Sequence, residues 1–117
     1  MDDKINLAAK LATFSGHWSP RTVTQFNNFD VMVVKVVGDF VWHKHDDTDD
    51  FFLVLQGTVD IQMRDRVVTL GPGEIYVVPM GVEHCPRART EAHLLLIEPT
   101  GTPNTGDSRT AAQRKIA

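Results

Sequence analysis

Cysteine is almost absent from this chain. Cys85 is the only one in 117 residues, so no intramolecular disulfide can form and no thiolate cluster is available for structural zinc. Concentrated basic charge is missing as well: 12 lysines and arginines are interspersed with 15 aspartates and glutamates, for a net charge of −3. Without a basic stripe to track phosphates, no nucleic-acid partner is expected. No segment approaches the ~20 apolar residues that a membrane helix needs. The opening "MDDKINLAAKLATF" is acidic where a secretory leader would be basic. A cytoplasmic protein with no membrane partner is the expectation. Internal repeats are lacking too, and the length suits one domain over residues 1–117 with no second core.

What the chain has in quantity is short β-branched and aromatic runs. "RTVTQF", "VMVVKVV", "FVWHK", "FFLVL", "TVDIQM", "VVTL", "IYVV" and "HLLLIE" are punctuated by "NN", "GD", "QG", "MRDR", "GPG" and "PMG". Eight short strands joined by tight turns predict an all-β, closed or sandwiched antiparallel architecture over residues 21–99. Residues 1–20 read as a helix and lead-in: Leu7, Leu11 and Phe14 share one face, Asp2 and Asp3 favour its start, and Gly16 is placed to end it. Residues 100–117 read as a mobile tail, ending in a frayed helix. In "VMVVKVV", Met32, Val34 and Val36 occupy one face and Val31, Val33, Lys35 and Val37 the other, so each face needs its own cover.

Polar chemistry is concentrated in "GDFVWHKHDDTDDFFLVLQG" and "GEIYVVPMGVEHC". If residues 40–44 form a strand, His43 and His45 point to one side, with Phe40 and Trp42 on the other. His84, arriving from a different strand after Pro79 and Gly81, can close a third corner of a metal site, and Asp50 can add a carboxylate.

These two stretches resemble the motifs of the cupin superfamily. The first, G-x(5)-H-x-H-x(3,4)-E-x(6)-G, is met by Gly38, His43, His45, Asp50 and Gly57, with a leading gap one residue shorter and aspartate in place of glutamate. The second, G-x(5)-P-x-G-x(2)-H-x(3)-N, is met by Gly73, Pro79, Gly81 and His84, with Ala88 at the asparagine position. The chain is similar to the small stand-alone cupins labelled phosphomannose-isomerase-like. The resemblance implies a double-stranded β-helix, or jelly-roll barrel, with a short N-terminal helix. It also implies a divalent transition metal ion (iron, manganese, nickel or zinc) on His43, His45, Asp50 and His84. Two alternatives stand for Asp50: direct ligation, or a carboxylate too short to reach, leaving three histidines and water.

The expected function is a metal-dependent enzyme acting on a small organic molecule in the barrel, of oxygenase, isomerase or cyclase type. The alternative is a non-catalytic small-molecule-binding or sensor barrel; a structural barrel with a vestigial site is a third reading. Phe52 and Val54, in phase with Asp50, are expected to line the cavity, and no further acid or base stands out there. Asp46, Asp47 and Asp49 read as solvated, Glu74 and Glu83 as rim residues, His17 and His93 as structural, and Cys85 as a buried thiol on the opposite face. Phe40 and Trp42, turned outward, suggest a homodimer.

Overall fold

The computed structural model describes residues 4–113 and 115–117. Asp2 and Asp3, expected at the helix start, lie outside the described residues. The helix α1 is Leu7–Leu11, capped by the Asn6 side chain, which accepts from the Ala9 amide at 2.9 Å. It stops well before Gly16. Both the Thr13 hydroxyl and the Thr13 amide donate to the Lys10 carbonyl, which ends the regular ladder. Leu7, Leu11 and Phe14 nevertheless share a face, packed with Val23 and Val33.

Eight strands follow: β1 (Arg21–Phe26), β2 (Phe29–Asp39), β3 (Asp50–Gln56), β4 (Val59–Met63), β5 (Val67–Leu70), β6 (Ile75–Val78), β7 (His84–Pro99) and β8 (Lys115–Ile116). Asn27 and Asn28 form a two-residue hairpin between β1 and β2, with Asn27 at φ 53°, a conformation asparagine tolerates. The sixteen-residue β7 organises the rest. Its first residues pair antiparallel with β4, and its later ones lie between β2 and β3, which in turn pairs with β6. One strand shared in this way bends the sheet back over itself. Met32, Val34, Val36, Phe52, Ile61 and Leu94 are among the buried residues that fill the interior. The other face of β2 is covered by α1 and Phe14, so the doubly apolar pattern of "VMVVKVV" is satisfied within the chain. No helix among the described residues is long and apolar enough to cross a membrane.

Several sequence expectations change. Residues 40–44 are not a strand: β2 ends at Asp39, and His43 makes only an isolated bridge to His84. Residues 84–92 are strand although they are mostly polar, because β4 and the end of β2 supply partners. The tail ends not in a helix but in β8, parallel to β1, with Ala117 N donating to the Thr22 carbonyl. Phe40, expected to face outward, turns inward and stacks on Trp18 at 4.8 Å, while the Trp42 ring is covered by the Arg64 guanidinium at 3.8 Å. Trp42 remains 40% exposed, so of the two residues that suggested a homodimer only Phe40 leaves the outward face. Phe26, Val67, Ile75 and Met80 are each more exposed than Trp42.

Gly57 carries the turn from β3 into β4. It stands at φ 83°, and a Cβ there would meet Ala92 Cβ at 3.0 Å and its Cα at 3.1 Å. Gly57→Ala is expected to destabilise the fold by ~1–3 kcal/mol in denaturant unfolding, combining left-handed backbone with a contact the neighbouring strand cannot relieve. An unchanged midpoint would contradict this reading of the turn.

Candidate metal centre

The four residues picked out by spacing converge. His43 and His84 are set side by side by their bridge, in which each amide donates to the other's carbonyl at 3.0 and 2.9 Å. Gly81, at φ 82°, donates its amide to the His45 carbonyl at 2.7 Å and so holds the second histidine. Asp50 opens β3 opposite Val78, and the Met80 amide is taken by neighbouring Asp49. All four residues are buried. Asp50 Oδ2 lies 2.8 Å from His84 Nε2, 3.2 Å from His45 Nε2 and 3.9 Å from His43 Nε2. The shorter aspartate thus reaches the histidines without a longer side chain.

The tautomers follow from the backbone. A carbonyl can only accept, so His43 Nδ1–H donates to Val41 O and His84 Nδ1–H to Val82 O, each at 2.9 Å. In the neutral rings Nε2 therefore presents a lone pair, and that of His84 faces a carboxylate oxygen 2.8 Å away. Two acceptors at that distance need a cation between them, a proton or a metal ion. With bonds of ~2.0–2.1 Å, two ligands at right angles on one ion stand ~3.0 Å apart, and at wider angles further. The His45–Asp50 spacing of 3.2 Å matches that, the 2.8 Å of His84–Asp50 is the length of a proton-filled hydrogen bond, and the donor set itself, three imidazoles and a carboxylate with ligand atoms within 4.8 Å of one another, is one that suits a divalent ion. Nδ1–H groups anchored on carbonyls are the usual outer support of ligating imidazoles.

Electrostatics prepares the same set. Burial pushes the Asp50 carboxyl up, but hydrogen bonds and charge from His45 and His84 outweigh it and bring it down to about 2. Burial lowers His43 to about 4. For His45, burial also works downward, yet the hydrogen bond and charge of Asp50 raise it overall.

The cluster sits beside a small cavity of about 40 Å³, room for a few waters or a small organic group. Phe52 lines it as expected, whereas Val54 packs in the core. Lining residues that were not anticipated include Trp18, Phe40, Glu98 and Asn104. Glu98 was legible, since Leu94, Leu96 and Glu98 alternate inward along β7 while His93, Leu95 and Ile97 take the other face. Trp18 and Asn104 arrive from outside the barrel strands, and no periodicity announces them.

The remaining polar residues stay apart from the cluster. Asp46, Asp47 and Asp49 are exposed. His17 and His93 each bond Glu91, at 3.1 and 3.0 Å, on the outer surface. Glu74 accepts from the Gly71 amide and Glu83 pairs with Arg64. Cys85 is free and buried, and burial pushes its thiol up. Ala88 is buried opposite Gly38.

Comparison with known proteins agrees with this architecture. The cupin domain model, Cupin_2, matches residues 30–98. A cupin-2 domain containing protein from Shewanella frigidimarina is 48% identical, covering 81% of this chain and 93% of that one, with a TM-score of 0.80. Protein NMB1881 from Neisseria meningitidis is 32% identical over 84% of this chain and 100% of its own, with a TM-score of 0.76. Protein YdbB of Bacillus subtilis is 27% identical over 66% of this chain and 69% of its own length. The two bent layers, the motif glycines and the buried three-histidine, one-aspartate cluster are together those of a small jelly-roll barrel, and the chain belongs to the cupin family.

Proposed function

We propose that the protein holds one divalent transition metal ion on His43, His45, Asp50 and His84 and acts on a small organic molecule admitted to the adjoining cavity. The observation that carries this is the convergence of three imidazoles and a carboxylate, all buried, with their ligand atoms within 4.8 Å of one another. When bound, such an ion supplies Lewis-acid chemistry or, if it is iron, dioxygen chemistry. The chain's own part is threefold. The His43 and His84 rings stay aimed through their carbonyl anchors. Phe40, Phe52, Leu94 and Leu96 keep the cavity poor in water. Glu98 offers a carboxylate in the wall that can accept a hydrogen bond from a hydroxyl or amine of the bound molecule.

The pKa pattern gives a test of ligation. At neutral pH Asp50 and His43 are already deprotonated, whereas His45 retains proton occupancy because Asp50 raises it. Metal uptake near pH 7 is expected to release up to about one proton, from His45, and affinity to fall as pH drops through that raised value. Calorimetry in buffers of different ionisation enthalpy measures this, and uptake with no proton release would contradict it.

Catalysis itself is tested by loading the protein separately with iron, manganese, nickel and zinc and following oxygen uptake and turnover of a panel of small hydroxy, keto and amino compounds. Turnover with one ion, absent from His43→Ala/His45→Ala, is expected. A tightly held ion with no turnover across the panel would overturn the enzyme reading and favour a binding barrel.

A further inference from the structure

Trp18 is held in a backbone conformation that its side chain disfavours. It stands at φ 56°, in the left-handed region where a bulky residue is an outlier. Several contacts hold it there. Its amide donates to the Lys35 carbonyl at 2.9 Å, and its indole Nε1–H donates to the Val37 carbonyl at 2.9 Å. Its ring stacks on Phe40 with centroids 4.8 Å apart and planes at 21°. Phe40 in turn meets the His43 ring edge-on at 5.2 Å, so aromatic rings run from Trp18 to a proposed ligand. From the C-terminal segment, Asn104 Nδ2 reaches the Trp18 carbonyl at 3.5 Å, and both residues line the cavity.

The consequence is a matter of size. The cavity bounded by this wall is about 40 Å³, whereas a cavity that accepts benzene measures ~150 Å³. We infer that Trp18 is the specificity-determining residue of the metal cavity, its ring restricting metal-directed ligands to a few heavy atoms. The inference rests on the proposed metal reading and adds to it the class of substrate: a small, unbranched chelating molecule, with ring-bearing compounds excluded. A wall held against backbone preference does not yield easily, because moving it breaks the indole bond and the Phe40 stack together.

Acetohydroxamate and benzohydroxamate share one chelating group and differ by methyl against phenyl, so their affinities for the metal-loaded protein test the restriction. Trp18→Gly is the informative variant: glycine accepts φ 56° without strain, so the ring is removed while the backbone is relieved. The native protein is expected to prefer acetohydroxamate by at least about tenfold, Trp18→Gly to lose that preference, and Trp18→Phe to fall between. Equal affinities in the native protein, or the same ratio in Trp18→Gly, would overturn the inference and leave the metal reading standing. If Trp18→Gly does not fold, Trp18→Phe decides alone, and an unchanged ratio overturns the inference. Failure of every protein to bind either hydroxamate would overturn the metal reading, and this inference with it.

Discussion

His43→Ala/His45→Ala is expected to abolish stabilisation by added metal while leaving the barrel folded. A ligand at a hundredfold excess over its dissociation constant stabilises the native state by ~2.7 kcal/mol, several degrees of midpoint for a chain of this size. That whole increment disappears in the double variant, because only His84 and Asp50 remain to hold an ion. The fold persists because the interior is built by Met32, Val34, Ile61, Leu94 and their neighbours, none of which needs the imidazoles. The substitutions also remove a buried ring whose charging is opposed by burial, His43. Thermal unfolding with and without zinc, manganese, nickel and iron gives the result, and a full metal shift surviving in the double variant would remove both histidines from the site.

Asp50→Asn is expected to weaken metal affinity by at least about tenfold, or ~1.4 kcal/mol, because it keeps the shape and removes the charge at a buried position. Asp50→Glu is expected to weaken it as well. The aspartate oxygen already stands 2.8, 3.2 and 3.9 Å from the three Nε2 atoms, so a further methylene overreaches. Asn at this position also takes away the charge that raises His45, so the proton released on metal uptake should vanish with it. Metal titration of both variants separates the alternatives. Tighter binding by Asp50→Glu together with no effect of Asp50→Asn would show that the native carboxylate is too short to ligate.

The legible and illegible parts of this molecule divide by the range of the interactions that made them. "RTVTQF" is strand β1 residue for residue, and the "NN" turn, the period-2 faces of β2 and the turn glycines at 57 and 73 are local features that a short window contains. Residues 40–44 carry the same apolar signal but find no ladder. One bridge to His84, more than forty positions away, and a single bond from the Phe40 amide to the Pro86 carbonyl make no continuous ladder, and propensity cannot reveal a missing partner. "HCPRARTEA" errs in the other direction. No β-branched or aromatic run covers it, yet Ile61 pairs with Pro86 and Asp60 with Arg87, whose guanidinium also bonds the Asp60 carboxylate at 2.8 Å. The four clustered residues were found because imidazoles and a carboxylate at motif spacing carry their chemistry in their identity. Phe40 turns inward because residues 40–44 form no strand to fix its face, and Trp18 and Asn104 enter the cavity only through tertiary packing.

Everything proposed for this barrel depends on the buried cluster holding an ion. The most direct measurement is elemental analysis of protein purified without any metal-charged column and without added chelator. About one equivalent of a single transition metal per chain, lost on prolonged dialysis against a strong chelator and restored by adding that ion back, is the result this account requires. No transition metal in the purified protein, together with no thermal shift on adding iron, manganese, nickel or zinc, would contradict it.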